Sequence, residues 1–328
     1  MLIPFDSLKA EFKRVLLSLS FGEDRADLLA QIFAENSRDG VYTHGLNRFP
    51  AFVQYVKDGY IITDAEPTKE GGLGSLEQWD GHLGPGILNA RFCMNRAIKL
   101  AGENGIGCVA IKNTNHWMRG GTYGWQAAEA GMIGICFTNT IANMPPWGGV
   151  DPRLGNNPLI IAVPRKEGHV VLDIAMSQYS IGKLNLFKSQ AEQLPLPGGY
   201  DSQGKLSTDP AAILQSERVL PIGFWKGSGL SLMLDLLATT LGQGRSTAAI
   251  TKAGPESALS QVFIAIQPPS GQTSELINDI IAYAKSSRPE KEGGSIFYPG
   301  ENALRTREKS MKEGVWVDER VWEKVCQL

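Results

Sequence analysis

The chain contains 328 residues, which is enough for one large domain or two ordinary ones. Its hydrophobic content of 42% and charged content of 20% are those of an ordinary soluble globular protein. Lys and Arg number 32 against 34 Asp and Glu, and the net charge of −2 argues against a nucleic-acid binder that works by neutralising phosphates.

The sequence contains no visible signal for export or membrane insertion. Its first residues have a helical, polar pattern without the apolar centre of a signal peptide. No apolar stretch approaches the roughly 18 residues that a membrane-spanning helix needs. Cys93, Cys108, Cys136 and Cys326 are scattered singly, which indicates neither a disulfide framework nor a zinc site. We therefore expect a cytoplasmic protein without a metal ion.

Two helices are predicted before residue 36. Each carries apolar side chains at helical spacing, as in helices that bury one face. These side chains are Leu8, Phe12, Val15 and Leu16 in the first helix and Ala26, Leu29, Ile32 and Phe33 in the second. A third helix is predicted from about Asn47, because Pro50 is tolerated in a first turn but not in a helix interior.

The middle of the chain alternates strands and helices. Short apolar runs predict strands at residues 76–81, 106–112, 132–137, 159–163, 170–173 and 261–267. Helical patterns occupy residues 87–104, 123–131, 174–187, 230–241 and 275–286. Residues 193–215 are polar and rich in Pro and Gly, which predicts a surface excursion. The two apolar strands on either side of residues 123–131 indicate a sheet covered by helices.

Two more helices are predicted near the end of the chain, over residues 301–313 and after the short extended piece 315–317. We expect the early and late helices to pack together beside the central α/β unit. The domains would then be discontinuous. Residues 1–75 with 288–328 would form a helical domain, and residues 76–287 would form the α/β domain.

His44 and Arg48 are the first candidate site. His44 lies in the loop before the third helix, and Arg48 lies in its first turn, close to free backbone N–H groups. Arg48 can bind a carboxylate with two hydrogen bonds, and His44 can exchange a proton near neutral pH. These residues suit an anionic substrate that carries a carbonyl group. Equally, a histidine beside a glycine is often a turn residue, and a single arginine is often solvated.

A standard dinucleotide-binding fold is disfavoured, because no G-x-G-x-x-G fingerprint lies between a strand and a helix. Polar loops after strands remain as candidates. His116 is either a capped loop residue or a substrate ligand. Asp173 either binds a ribose hydroxyl or caps the following helix. Lys226 lies at the glycine-rich start of a helix, where a cation and free backbone N–H groups could bind a phosphate. Residues 300–302 could equally form a helix cap.

Six ordered motifs together resemble the malate/L-lactate dehydrogenase family, which lacks a Rossmann fold. They are His44-Gly45-x-x-Arg48, Asn115-His116, Thr138-Asn139, Asn157-Pro158-Leu159, Lys226-Gly227-x-Gly229 and Pro299-Gly300-Glu301. The resemblance covers nearly the whole chain. It implies a homodimer and an α/β (α+β) nicotinamide-binding fold with a central mixed, largely antiparallel sheet. The helical domain would serve substrate binding and dimerisation.

The resemblance also implies roles for individual residues. His44 is the expected proton donor, with Arg48 and His116 as catalytic partners. The expected substrate ligands are Arg48, His116, Asn139 and Thr140. The expected NAD contacts are His169, Val170, Val171, Leu172, Asp173, Ile174, Ala175, Trp225, Lys226, Gly300, Glu301 and Asn302. NADH is expected as the preferred cofactor, with NADPH as the alternative; Asp173 beside a ribose would favour NADH by repelling a phosphate. Two departures are a hairpin before Asp173 that is one residue longer, and Asn156 where the family more often has Thr.

Strings rich in aromatic residues and Met resemble one reductase subgroup of this family. They include residues 40–50, 77–80, 115–121 and 144–148. This resemblance implies that NADH reduces an α-keto acid, with 2,3-diketo-L-gulonate converted to 3-keto-L-gulonate. The alternatives are an L-malate or L-lactate type dehydrogenase, a cyclic imine reductase, and a keto-acid binding protein without catalysis.

Overall fold

A mixed sheet forms the centre of this computed structural model, which describes residues 1–269 and 273–328. The strands within that part of the chain are β1 (Leu2–Ile3), β2 (Thr68–Leu73), β3 (Leu76–Asp80), β4 (Ile106–Thr114), β5 (Ile133–Thr138), β6 (Ala142–Met144), β7 (Leu154–Gly155), β8 (Leu159–Val163), β9 (Val170–Ile174), β10 (Gly199–Tyr200), β11 (Leu206–Ser207), β12 (Leu259–Ile266) and β13 (Val315–Trp316).

Helices cover this sheet and form a separate layer at the chain ends. They are α1 (Phe5–Ser18), α2 (Glu23–Arg38), α3 (Phe49–Lys57), α4 (Gly86–Asn104), α5 (Gly121–Glu129), α6 (Ile181–Ser189), α7 (Pro210–Ser216), α8 (Trp225–Gly242), α9 (Thr247–Ala253), α10 (Thr273–Lys285), α11 (Glu301–Glu313) and α12 (Glu319–Cys326). Among the described residues, no helix has both the length and the apolar character that crossing a membrane requires.

The strand order of the central sheet is β2-β3-β4-β12-β5-β8-β9. Only the β3–β4 pair is parallel; all its other neighbouring pairs are antiparallel. The middle strand is buried on both faces, and its Phe263 pairs with Val109 on one side and Cys136 on the other. This arrangement confirms the predicted α/β class and the mixed, largely antiparallel sheet.

One apolar core joins the two ends of the chain. The helical stripes predicted in α1 and α2 are buried there, and Phe12 packs on Phe49 of α3 with ring centroids 4.5 Å apart. Val325 of α12 lies in the same core, and β1 pairs with β13 through Ile3 and Val315. The early and late elements therefore pack together. The boundaries of the two discontinuous domains remain a prediction.

One local prediction was wrong, and another was incomplete. Residues 174–187 were expected to be helical, but β9 extends to Ile174 and α6 begins only at Ile181, where the Ser180 hydroxyl accepts a hydrogen bond from the backbone of Lys183. Residues 193–215 are more than a surface excursion. They contain β10, β11 and most of α7, and α7 packs on α6 around the buried side chains of Leu184 and Ile213.

Candidate active site

A cleft of about 460 Å³ lies where the helical layer meets the sheet. Its walls come from the loop before α3, the loop after β4, the ends of β5 and β9, and the start of α11. The lining residues are Val41, Thr43, His44, His116, Trp117, Met118, Arg119, Gly120, Thr138, Thr140, Asn156, Pro158, Val171, Leu172, Asp173, Ala175, Ser180, Leu259, Pro299, Gly300 and Ala303. Segments far apart in sequence therefore form one site.

The loop that carries His44 is held against the last turn of α2. The Asn36 amide donates to the His44 carbonyl at 3.0 Å, and the Leu46 N–H donates to the Ser37 hydroxyl at 2.9 Å. Gly45 permits this approach, because an added Cβ would lie 2.8 Å from the backbone nitrogen of Ser37. A larger residue at position 45 would therefore displace the imidazole.

Polar and charged groups around the His44 ring shift its pKa in opposite directions. The Thr43 hydroxyl lies 3.0 Å from its Nδ1. Burial lowers the pKa of His44, and the positive charges of Arg48 and Arg119 lower it further. The carboxylate of Asp173 opposes that shift. The neutral ring is therefore favoured near pH 7, and a negative charge brought into the cleft would favour the protonated ring.

His116 faces His44 across the cleft wall. The two rings are stacked, with centroids 5.8 Å apart and an interplanar angle of 23°. Nδ1 of His116 accepts a hydrogen bond from the Met118 N–H at 3.0 Å, so the neutral ring carries its hydrogen on Nε2. Burial lowers the pKa of His116 well below its usual value, as do the charges of Arg48 and His44. His116 is therefore a neutral hydrogen-bond donor at physiological pH.

Arg48 lies behind this pair of histidines. It lines a small cavity of about 20 Å³ that shares His116 and Met118 with the cleft. Its Nη2 is 3.8 Å from the carboxylate of Glu256, which lines the same cavity. The structure thus places Arg48 beside the cleft, behind His116. Its contact with substrate remains a prediction.

The two predicted substrate ligands after β5 differ in their surroundings. Thr140 lines the cleft, and its hydroxyl is bonded to Asn156 at 3.1 Å and Asn157 at 3.2 Å. Asn139 is fully buried, and its amide donates to Asp235 at 2.9 Å and to the Arg245 carbonyl at 2.7 Å. The Asn139 amide thus fastens the end of β5 to the elements behind it. Its contact with substrate remains a prediction.

The opposite wall combines β9 with the start of α11. The Val171 N–H donates to the Pro299 carbonyl at 2.9 Å, which places Gly300 against the strand. Gly300 has a φ of +96° and lies 3.1 Å, measured from an ideal Cβ, from the Val171 nitrogen, so a side chain would be strained there. First-turn N–H groups of α11 lie beside this wall, and such groups attract anions.

The predicted NAD contacts are only partly gathered in this cleft. Val171, Leu172, Asp173, Ala175 and Gly300 are among its lining residues. The remaining predicted contacts do not line the cleft; they are His169, Val170, Ile174, Glu301, Asn302, Trp225 and Lys226. The last two lie at the exposed start of α8. Their contacts with the cofactor remain predictions.

Asp173 does cap a helix, although not the one that follows it. Its Oδ2 accepts a hydrogen bond from the Gly121 N–H at 2.8 Å, at the start of α5. Glu301 is likewise engaged within the protein. Its carboxylate accepts hydrogen bonds from Lys285 at 2.8 Å and Arg305 at 2.7 Å. Both carboxylates thus help to fix the wall of the cleft.

Arg119 enters the cleft from a buried cluster of charges. Its Nη1 donates to Asp39 at 2.7 Å, and Arg38 and Arg307 donate to the same carboxylate at 2.9 Å. Burial alone would raise the pKa of Asp39, but the hydrogen bond from Arg307 and the charges of Arg119 and Arg38 hold it at about 2. Asp39 thereby joins the end of α2 and the middle of α11 to the cleft.

Sequence reasoning missed Thr43, Ser180 and Glu256. Thr43 adjoins His44 in the same loop and could have been found from that position. Ser180 reads only as a helix cap, which it is. Glu256 gives no local signal, because its partner Arg48 is far away in sequence. The described residues contain no cluster of His, Cys, Asp and Glu suited to a metal ion.

Comparison with known proteins agrees with this geometry. The model of the family described as malate/L-lactate dehydrogenase matches residues 3–326. Proteins named 2,3-diketo-L-gulonate reductase are 46% identical in Pasteurella multocida (strain Pm70) and 45% identical in Escherichia coli O127:H6, with 100% of both chains covered in each case. The structure of malate dehydrogenase from Pyrococcus horikoshii OT3 superposes with a TM-score of 0.90 at 29% identity, covering 99% of this chain and 93% of that one.

A match over almost the full length, together with relatives above 40% identity, settles the family and the broad class of reaction. The fold, the mixed sheet and the cleft are those described above. The protein is therefore an oxidoreductase that uses a nicotinamide cofactor, and it belongs to the malate/L-lactate dehydrogenase family.

Proposed function

We propose that this protein is an NADH-dependent reductase of α-keto acids, and that its substrate is 2,3-diketo-L-gulonate, reduced to 3-keto-L-gulonate. The observation that carries the proposal is the pair of stacked imidazoles, 5.8 Å apart, between an arginine and a glycine-lined wall. The relatives at 45–46% identity that are named for this reaction support the choice of substrate.

The wall formed by β9 and α11 fits the cofactor. A dinucleotide carries a pyrophosphate, and the start of α11 combines first-turn N–H groups with a glycine whose missing side chain leaves the backbone accessible. Leu172, Ala175 and Gly300 would lie along it. When bound, the nicotinamide supplies a hydride to the ketone carbon.

His44 holds and delivers the proton in this proposal. The neutral ring is favoured in the free protein, so the substrate carboxylate and the charge that develops on the ketone oxygen promote its protonation. Thr43 sits against Nδ1 and orients the ring, which leaves Nε2 to face the reacting oxygen. Asp173 stabilises the imidazolium by its negative charge.

His116 and Arg48 bind the polar atoms of the keto acid. The Nε2–H of His116 can donate to the ketone oxygen, since Nδ1 is already occupied by the Met118 N–H. Arg48 attracts the carboxylate and binds it with its planar fork. Thr140 lines the cleft as well. Asn139 acts by holding the end of β5, because its amide is bonded to Asp235 and the Arg245 carbonyl.

A panel of keto acids, followed by the absorbance of NADH, tests the function. We expect turnover with 2,3-diketo-L-gulonate above that with pyruvate or oxaloacetate. Replacement of His44 by Ala should reduce kcat by roughly 10²–10⁴-fold, the contribution of a positioned acid. Exposed His82→Ala is the matched control and should retain activity. Wild-type turnover in the His44 variant would remove its role as proton donor.

Arg48→Lys tests the carboxylate site separately. Lysine keeps the charge but loses the bidentate geometry. We expect weaker binding of the keto acid, seen as a higher KM, with the Kd for NADH unchanged. If the affinities for the keto acid and for NADH fell equally, the result would count against a contact between Arg48 and the substrate carboxylate.

NADH is proposed over NADPH because Asp173 places a negative charge in the cofactor cleft. Its negative charge raises the free-energy cost of bringing an additional phosphate into the cleft. The ratio of kcat/KM for the two cofactors measures the preference. Asp173→Asn should narrow that ratio, and an unchanged ratio would assign the preference elsewhere.

A homodimer is also proposed, supported by the apolar surface of α8. Leu230, Leu232, Met233, Leu236 and Leu237 are all exposed on this helix. Contiguous apolar surface of this kind is typical of an interface between subunits. Light scattering after gel filtration should give twice the monomer mass. Leu236→Glu should yield monomer, whereas Leu73→Glu, at an exposed hairpin position, should not.

A second candidate is an L-2-hydroxy acid dehydrogenase of the malate or lactate type. The TM-score of 0.90 with the Pyrococcus horikoshii malate dehydrogenase favours it. The same panel separates the two, because oxaloacetate or pyruvate would then be the preferred substrate. Cyclic imines belong in the panel as well. Keto-acid binding without any NADH oxidation would indicate a binding protein.

A further inference from the structure

Glu256 is a carboxylate in the substrate region that the proposed mechanism does not use. It lies in the segment between α9 and β12, and only 15% of its side chain is exposed. Its Oε1 accepts a hydrogen bond from the Ile141 N–H at 3.2 Å, directly after Thr140 of the cleft. Its Oε2 faces Nη2 of Arg48 at 3.8 Å. One carboxylate therefore contacts both sides of the substrate-binding end.

We propose that Glu256 is a positioning residue that holds the Arg48 guanidinium in place for a substrate carboxylate. This inference rests on the proposed function. The Arg48 side chain is 39% exposed, so without a facing charge it could extend into solvent. Ordering a long arginine side chain costs conformational entropy, and a fixed carboxylate reduces the number of conformations available before substrate arrives.

Glu256 itself is fixed by its own segment of the chain. Thr251 of α9 accepts a hydrogen bond from the Ala142 N–H at 2.9 Å, next to the contact made by Glu256. The segment from α9 onwards is thus attached to the residues that follow β5. A carboxylate held this way can act as a rigid reference for the guanidinium.

Glu256 is the less accessible partner of the pair, with 15% of its side chain exposed against 39% for Arg48. Both line the small cavity behind His116, and neither is among the residues that line the cleft. The longer and more exposed arginine side chain can reach toward a carboxylate in the cleft, whereas the Glu256 carboxylate is held by the Ile141 N–H. The influence of Glu256 therefore passes through Arg48 and through the backbone after Thr140.

The negative charge of Glu256 should also affect the pKa values of the two histidines. Arg48 lowers the pKa of both His44 and His116, together with Arg119 in the case of His44, while Asp173 opposes the shift at His44. The carboxylate of Glu256 offsets part of the Arg48 charge. Removal of that negative charge should lower the pKa of both imidazoles further.

Glu256→Gln is the principal test. Glutamine has nearly the same shape, and its amide oxygen can still accept from the Ile141 N–H. We expect the KM for the keto acid to rise about tenfold with kcat within about threefold, which is the pattern of lost substrate binding. The Kd for NADH should not change. Glu308→Gln, at an exposed glutamate of α11, is the control and should match the wild type.

A double-mutant cycle with Arg48→Ala distinguishes positioning from a purely structural role. If Glu256 acts through Arg48, Glu256→Gln should add little to the KM of the Arg48→Ala variant. The pH profile of kcat/KM for Glu256→Gln should also move to lower pH. An equal KM increase in both backgrounds, with the profile unmoved, would overturn the proposal.

Binding of oxamate, an unreactive keto-acid analogue, separates this proposal from the proposed reaction. Calorimetry in the presence of NADH should give about tenfold weaker oxamate binding for Glu256→Gln than for the wild type. Equal affinities would overturn the positioning role even if the wild type is an active reductase. If the wild type binds oxamate but reduces no keto acid, the proposed reaction fails while the positioning role is still measured.

Discussion

Asp39 and Glu256 are two buried carboxylates that face arginines beside the same cleft, yet their environments have opposite effects. Asp39 receives direct hydrogen bonds from Arg38, Arg119 and Arg307, and its pKa falls to about 2. Glu256 faces Arg48 at 3.8 Å and accepts one backbone hydrogen bond from Ile141, and burial raises its pKa above the usual value. The number and directness of the partners decide whether a buried acid stays charged.

This difference separates the structural role of Asp39 from the proposed functional role of Glu256. Three arginines donate hydrogen bonds to the Asp39 carboxylate, which compensates its negative charge and joins the helical layer to the cleft. The looser pair leaves Arg48 able to accept an additional anion. A fully satisfied arginine would have little to gain from a substrate carboxylate, so the weaker pairing suits a binding site.

The largest expected effect is on the stability of an Asp39 variant. Asp39→Ala leaves Arg119 and its neighbours buried without their acid, which should cost about 3 kcal/mol of unfolding free energy. Denaturant unfolding measures it. Asp64→Ala, at an exposed position, is the control and should stay within about 0.5 kcal/mol. A loss below 1 kcal/mol at position 39 would show that the cluster contributes little.

Lowering the pH should remove the contribution of Asp39 to the free energy of unfolding. Its folded-state pKa of about 2 lies below the ordinary value of 3.8, so the stabilisation is present above pH 3.8 and is lost as the pH falls through 2. The shift corresponds to about 2 kcal/mol. The stability difference between the wild type and Asp39→Asn should shrink by that amount between pH 5 and pH 2. A constant difference would contradict the lowered pKa.

The charge of Arg48 should be visible in the pH dependence of reduction. The proton donor must be protonated, so activity should rise as pH falls, with an apparent pKa below the usual value for histidine. Arg48→Met removes a charge that lowers the pKa of His44, so its kcat profile should move to higher pH. Arg48→Lys keeps the charge and should leave the profile in place. Identical profiles for both variants would exclude this electrostatic coupling.

The smallest expected effect is on the stability of the Glu256→Gln variant. Because burial disfavours the charged form of Glu256, a neutral isostere loses one ion pair but also loses its desolvation cost. We expect a change of less than about 1 kcal/mol in unfolding free energy, against a much larger loss at Asp39. If Glu256→Gln lost as much unfolding free energy as Asp39→Ala, Glu256 would be a stabilising residue like Asp39.

The sequence predicted most of the elements because their signals are local. The stripes in α1 and α2 and the apolar runs of β4, β5 and β12 depend only on nearby residues. The helix expected at residues 174–187 begins only at Ile181, because the backbone before it bonds to distant segments: the Met176 N–H donates to the Asn156 carbonyl and the Gln178 N–H to the Leu220 carbonyl. The fold within residues 193–215 was missed because its small core depends on packing against α6.

The sequence by itself determined the chemical types of residue in the site, the apolar faces of the helices and the family resemblance. His44, Arg48 and His116 could be selected because loop position and motif are readable along the chain. Only the tertiary structure decided which partners each residue meets. It stacked His44 on His116, engaged the Asn139 amide in the interior and set Glu256 against Arg48. These contacts join segments distant in sequence, and charge balance, burial and hydrogen-bond satisfaction are defined only when such segments are packed together.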